Sequence, residues 1–263
     1  MDSARPRLRF LASVLAPTLA LILAVFAGLA AKPTHGQIAS DAILLLAFEA
    51  VVFGQGSRGR DSLIRPVDPI RFELYGAVTD ERFALLERQA AHLASASGLE
   101  VRAVIGTEPR GPIQGAEGPE RVFQVYIVGE EYFVGLMLRP WVPPELVFPI
   151  ASQALCFFVT LGGDEVDGAL IGINSRLADE TINHCLIEET AQPFGAFDDT
   201  RLLDPSAFND FGALIERMTP NDEIILRTLF DERLQPGMPR EEAMALVQTI
   251  LPAIAAEARA GQP

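Results

Sequence analysis

The sequence predicts an α+β domain in which a mixed sheet packs on two main helices. Three features carry that prediction. Segments of strand character crowd the stretch before residue 175, one long helical segment follows over 177–192, and further helices fill the rest of the chain. At 263 residues, with 49% hydrophobic and 21% charged residues, there is enough apolar material for one sizeable globular domain or two small ones.

Each element has a local reason. Residues 38–54 are apolar at helical spacing, and Ser40 or Asp41 can cap them. After a glycine-rich polar loop, the segment 70–75 (IRFELY) alternates apolar and polar residues as a strand does. Thr79 and Asp80 cap a helix over 81–97, with Phe83, Leu86, Ala90, Leu93 and Ala94 on one face. Gly98 is its natural stop, because glycine tolerates the left-handed backbone at a helix end. Residues 99–105 and 122–128 read as strands, and 106–120, with four glycines and three prolines, as a surface loop. Residues 132–138 fit either a short strand or a short helix. Residues 139–149 are proline-rich and hold Trp141, whose ring either anchors that loop or faces a ligand. Segments 156–161 and 169–174 are two more strands, and Gly162-Gly163-Asp164 between them is a hairpin signal. Downstream of the 177–192 helix, 198–209 is irregular. Thr219 then caps, and Pro220 starts, a helix running through Phe230. Pro239 opens a last helix over 240–259, which Pro252 is expected to kink or end early.

Residues 1–32 stand apart from the fold. Arg5, Arg7 and Arg9 precede an almost wholly apolar run over 10–31, which closes on small residues. This is the pattern of a secretory signal peptide, and its length of about 20 residues also suits an uncleaved inner-membrane anchor. Under either reading the remainder is expected outside the cytoplasm, periplasmic or secreted in a bacterium. Residues 38–240 then form the main domain, and 241–263 a C-terminal helix and tail.

Charge narrows the partners. Residues 1–32 hold four of the 21 basic residues and one of the 35 acidic ones, leaving a net charge of −17 on the remainder. Nucleic acid and anionic membrane surfaces are poor partners for so acidic a body. Membrane contact is expected only through the N-terminal segment, if it is uncleaved. The two cysteines, Cys156 and Cys185, suggest a single disulfide in an exported chain. It would close a loop of about 30 residues, worth about 3 kcal/mol, and pin the long helix to the strand carrying Cys156. Two buried free thiols are the alternative.

The stretch with most chemistry runs from His184 to Asp198, HCLIEETAQPFGAFD. It reads as the end of the long helix, broken by Pro193 and Gly195, entering an acidic turn. Its pattern, E-E-x-x-Q-x-x-G-x-x-D, has the spacing of the zinc-protease motif H-E-x-x-H-x-x-G-x-x-[HD], with both helix histidines replaced. His184 and Glu188 lie one turn apart and can face the same way. His184, Glu188 and Asp198 are a conceivable metal set. Zinc prefers imidazole and thiolate, however, and glutamine is a poor ligand, so no metal is expected; zinc or another divalent ion stays an alternative. Glu188 and Glu189 are the candidate acid and base, although neighbours on a helix point about 100° apart. The bland reading is a buried polar clasp in which Gln192, Glu188 and the loop at Asp198 hold one another.

The order of elements is similar to that of the metzincin branch of zinc metalloproteases. Under that resemblance Glu188 and Gln192 occupy the ligand positions and Glu189 the base position. Gly195 matches the turning glycine and Asp198 the third ligand, while Ser206-Ala207-Phe208-Asn209 stands at the Met-turn. The chain resembles more closely a family of exported bacterial proteins, domain-of-unknown-function family 2927. Cys185, Glu188, Glu189, Gln192 and Gly195 carry that resemblance, with Ser206 and Phe208 and the tail Leu229-Phe230-Asp231-Glu232-Arg233-Leu234-Gln235-Pro236-Gly237-Met238. It implies a metzincin-like, zincin-like single domain and brings no established activity. The resulting expectation is an exported, non-catalytic cell-envelope domain that binds a protein or peptide, with a groove beside the sheet's edge strand suited to an extended peptide. A hydrolase, peptidase- or glycosidase-like, using Glu189 with Glu188 or Asp198, is the alternative.

Overall fold

Among the described residues, five strands make one sheet: β1 (Ile70–Gly76), β2 (Val101–Ile105), β3 (Arg121–Val128), β4 (Cys156–Gly162) and β5 (Val166–Asn174). Their order is β2-β1-β3-β5-β4. The first four run parallel, and β4 lies antiparallel to β5 at one edge. The computed structural model describes residues 36–54, 59–107, 119–137, 155–209 and 211–262. The expected segment 1–32, most of the 106–120 loop and Trp141 with its proline-rich stretch lie outside the described residues.

Among the described residues, six α-helices complete the α+β fold: α1 (Asp41–Phe53), α2 (Asp80–Ser97), α3 (Glu130–Met137), α4 (Asp179–Ala191), α5 (Pro220–Leu229) and α6 (Arg240–Ala260). Their ends follow local chemistry. The Ser40 hydroxyl accepts from the Ile43 amide, and Thr79 from that of Arg82. Gly98 stops α2 in the left-handed conformation at φ 73°. Pro220 opens α5 behind a reciprocal capping box between Thr219 and Asp222. Among the described residues, no helix is long and apolar enough to cross a membrane.

Helices α2 and α4 lie against the sheet, while α6 lies against α1 and α5. Ile70, Phe72 and Leu74 of β1, Phe123, Val125 and Ile127 of β3, and Ala169, Ile171 and Ile173 of β5 all enter the main core with these helices. The opposite face carries a smaller cluster in which Phe133 and Leu136 of α3 meet Tyr75, Tyr126, Phe157 and Leu170. Apolar residues on both faces explain why the inner strands β3 and β5 read as largely hydrophobic runs, whereas β1, with Arg71 and Glu73, alternates.

Two segments depart from expectation or settle an open one. The stretch open to strand or helix is helix α3, starting at Glu130. Glu130 and Glu131 favour its positive N-terminal end, and Phe133 and Leu136, three apart, share the face on the sheet. Helix α6 does not end at Pro252 but runs through it to Ala260. The carbonyl that Pro252 leaves without an amide belongs to Gln248, an exposed residue, while Ile250, Leu251 and Ala255 hold the helix in the core on both sides of the proline.

The tail after α5 has a specific task. Leu63 donates its amide to Met238 and accepts from Gly237, so residues 237–239 pair with a strap at 61–65. Arg65 on that strap is buried, donates to the Leu234 carbonyl at 2.8 Å, and lies 4.8 Å from the Phe230 ring centroid. Burial holds its guanidinium below the ordinary arginine value, with Glu165 opposing the shift. The tail therefore fixes the strap, and the strap forms one wall of the region around the helix motif.

Candidate functional site

Helix α4 is buried on every side in its second half: His184 through Ala191 and the following 3-10 turn, Gln192–Phe194, are all buried. It is anchored on three sides. The disulfide Cys156–Cys185 ties it to β4, with a Cα separation of 6.0 Å. Gln89 of α2 donates its side-chain amide to the Ile187 carbonyl at 3.1 Å. Phe194 inserts between the sheet and the tail, with ring centroids 6.4, 6.0 and 6.0 Å from Phe72, Phe123 and Phe230. The expected pinning of the helix to the strand of Cys156 is thus observed.

Gly195 makes the exit from the helix possible. Its φ is 120°, and a Cβ placed there would sit 2.5 Å from the Ile64 carbonyl oxygen and 2.9 Å from Leu229 Cδ2. Gly195→Ala therefore combines an unfavourable backbone with a clash against the strap. It is expected to lower stability by about 2 kcal/mol, or about 4–8 °C in Tm, measured by thermal unfolding followed by circular dichroism.

The motif side chains fall into three groups. In the first, the Ile215 amide donates to His184 Nδ1 at 3.2 Å, and His184 Nε2 lies 3.3 Å from Glu188 Oε2. Because Nδ1 accepts, the ring proton belongs on Nε2 and points at the carboxylate. His184 is thereby a donor that orients Glu188, and its geometry does not suit a direct metal ligand. Glu188 and Glu189, 1% and 5% exposed, bring a carboxylate oxygen each within 4.8 Å of the other and of Cys156 Sγ. Their long side chains converge although their Cβ directions diverge.

In the second group, Gln192 donates to Asp199 Oδ1 at 3.0 Å. In the third, Asp198 pairs with Arg60 at 2.5 Å, and Arg60 lies 4.6 Å from the Phe197 ring centroid, which in turn stacks on Phe158 of β4 at 6.2 Å. The helix thus holds Glu188 with His184 and Glu189, whereas Asp198 faces the loop arginine. Sequence reasoning offered Asp199, with Asp198, as a second carboxylate but did not single out Arg60, Phe158 or Phe197. Arg60 lies 138 residues from Asp198, and no local pattern links them.

Beside this region runs a groove of about 320 Å³ along β4, lined by Phe158, Thr160, Gly162, Arg60, Ile64 and Phe197 among others. Among the described residues no strand pairs with the outer side of β4. Its hairpin turn is held by Gly162, at φ 128°, where a Cβ would meet the Glu165 carbonyl oxygen at 1.9 Å.

The loop at Ser206 and Phe208 is tied to the start of α5. Asp222, fully buried, accepts from Ser206 Oγ at 2.5 Å, from the Ala207 amide at 3.1 Å and from the Thr219 amide at 2.7 Å. Burial pushes its carboxyl above the ordinary value, and these hydrogen bonds oppose the shift. Phe208, beside them, is wholly buried.

No curated protein and no solved structure matches the chain. A family model does, over residues 41–249, a span that includes the α4 motif, Ser206, Phe208 and the tail. The chain belongs to the family described as Protein of unknown function (DUF2927).

Proposed function

We propose that the chain is an exported, metzincin-like domain whose helix motif is a structural clasp. Its working surface is the groove beside β4, where an extended segment of a cell-envelope protein or peptide adds as a strand. The observation that carries this reading is the contrast between the two regions. Glu188, Glu189 and Gln192 are 1%, 5% and 4% exposed, turned away from any substrate. The edge of β4 borders an open groove with Phe158 and Phe197 on its wall. The mixed sheet, with its antiparallel edge strand and a buried motif helix, supports the metzincin-like part. The disulfide supports export, since such bonds persist in oxidising compartments.

The hydrolase alternative needs Glu189 within reach of a scissile bond, and its burial favours the binding reading. Selection of random extended peptides on the full-length chain tests the proposal. Phe197→Ala is expected to weaken a selected peptide about tenfold, with circular dichroism confirming that the variant is folded. Unchanged affinity would place the peptide elsewhere, and hydrolysis of the peptides with loss of activity in Glu189→Gln would favour the alternative.

A further inference from the structure

The disulfide and the two buried carboxylates meet at one point, and this has a consequence independent of peptide binding. We infer that opening the Cys156–Cys185 disulfide creates a binding site for a zinc-class divalent cation, formed by the Cys156 thiolate, Glu188 and Glu189. One donor atom of each already lies within 4.8 Å of the others. Donors around a single tetrahedral zinc ion sit roughly 3.3–3.7 Å apart, so side-chain rotations that close the gap by about 1 Å bring the three together. The donors come from two elements, β4 and α4, which the main core holds in place.

While the disulfide is closed, the sulfur is bonded to Cys185 and cannot act as a thiolate ligand. Once open, the site gathers a thiolate and two carboxylates in a buried space. A divalent cation offsets that charge. Sulfur in the donor set selects a zinc-class ion over calcium or magnesium, and a water completes four-coordination. His184 serves as a positioning residue. Its Nε2, 3.3 Å from Glu188 Oε2, donates to one carboxylate oxygen, and the Ile215 amide fixes the ring.

The opening step is a thiol–disulfide exchange with a dithiol reductant. A dithiol thiolate attacks Cys156 Sγ, which is half-buried, whereas Cys185 is only 1% exposed. The S–S bond breaks, and Cys185 leaves as a thiolate that takes up a proton. The second dithiol sulfur then displaces Cys156 from the mixed disulfide. The reductant is oxidised by two electrons to its own disulfide, and Cys156 is released as the thiolate that binds the cation.

The test uses the full-length chain under anaerobic conditions. A phosphine reductant opens the disulfide, taking oxygen from water as it becomes the phosphine oxide. Cobalt(II) and zinc(II) are then titrated separately. Reduced wild type is expected to bind a single ion per chain, with a thiolate-to-cobalt charge-transfer band, and the oxidised protein to show no such band. Cys185→Ser, which breaks the disulfide but keeps Cys156, should give the band without reductant. Cys156→Ser, which breaks it equally, should lose the band, as should reduced Glu188→Gln and Glu189→Gln. His184→Ala should weaken binding about 10- to 100-fold while leaving the band in place. Circular dichroism confirms that each variant is folded. The inference is overturned if folded reduced wild type and Cys185→Ser show no band, or if Cys156→Ser keeps it.

Discussion

Replacing Asp222 by alanine is expected to destabilise the chain by about 4 kcal/mol, enough to lower Tm by more than any other single side-chain truncation considered. The carboxylate is the common acceptor for the Ser206 hydroxyl and the Ala207 and Thr219 amides. All lie in the buried junction between the 206–208 loop and the start of α5. Alanine removes the acceptor and returns no water to the site, so each donor keeps its desolvation cost without a bond. Asp222→Asn is expected to behave differently. Its carbonyl oxygen can take the two amides and its NH₂ can donate to Ser206 Oγ without burying a charge, so the variant is expected to be at least as stable as wild type at neutral pH.

The same pair gives a pH signature. Because burial raises the Asp222 carboxyl above its ordinary value, the folded state binds the proton more tightly than the unfolded chain does. The contribution is fully present below the unfolded value and is lost as pH rises through the raised folded value. Wild type should therefore lose stability relative to Asp222→Asn across that window, with the difference shrinking in acid. Denaturant unfolding of both proteins at a series of pH values reads this directly. A difference that grows towards acid would contradict the burial argument.

Removing the disulfide is the second large effect. Cys156→Ala with Cys185→Ala releases a link spanning 29 residues and should cost about 3 kcal/mol by loop entropy. That corresponds to a fall of about 6–12 °C in Tm. The bond also joins an edge strand to the central helix. The double variant should therefore show faster amide exchange in β4 than in β1 or β3, which lie inside the sheet. Equal Tm values for the variant and the oxidised wild type would show that core packing alone fixes α4 to β4.

Much of this fold was legible because its signals are local. Thr79, Gly98, Thr219 and Pro220 mark helix ends through their own backbone chemistry, and the strands with apolar residues on both faces announce themselves. The site was legible only where its partners are near in sequence. His184 and Glu188 are one turn apart on a helix, so their pairing follows from periodicity. The partner of Asp198 is Arg60, in a loop whose composition says only that it is a loop. Of the two outcomes expected at Pro252, a kink or an early end, the early end does not occur, because helix α6 continues through it to Ala260 with Ile250, Leu251 and Ala255 held in the core. The tail from Leu229 to Met238 read as a motif without a purpose until the 61–65 strap appeared beneath it.

The central claim is that the helix motif is a closed clasp and that recognition happens at the edge of β4. Amide hydrogen exchange of the full-length chain, with and without a peptide selected from a random library, tests it most directly. The account predicts that the bound peptide slows exchange along residues 156–162 and around Phe197, with α4 unchanged. Slowed exchange confined to α4 and the turn at Asp198, with β4 unaffected, would contradict it.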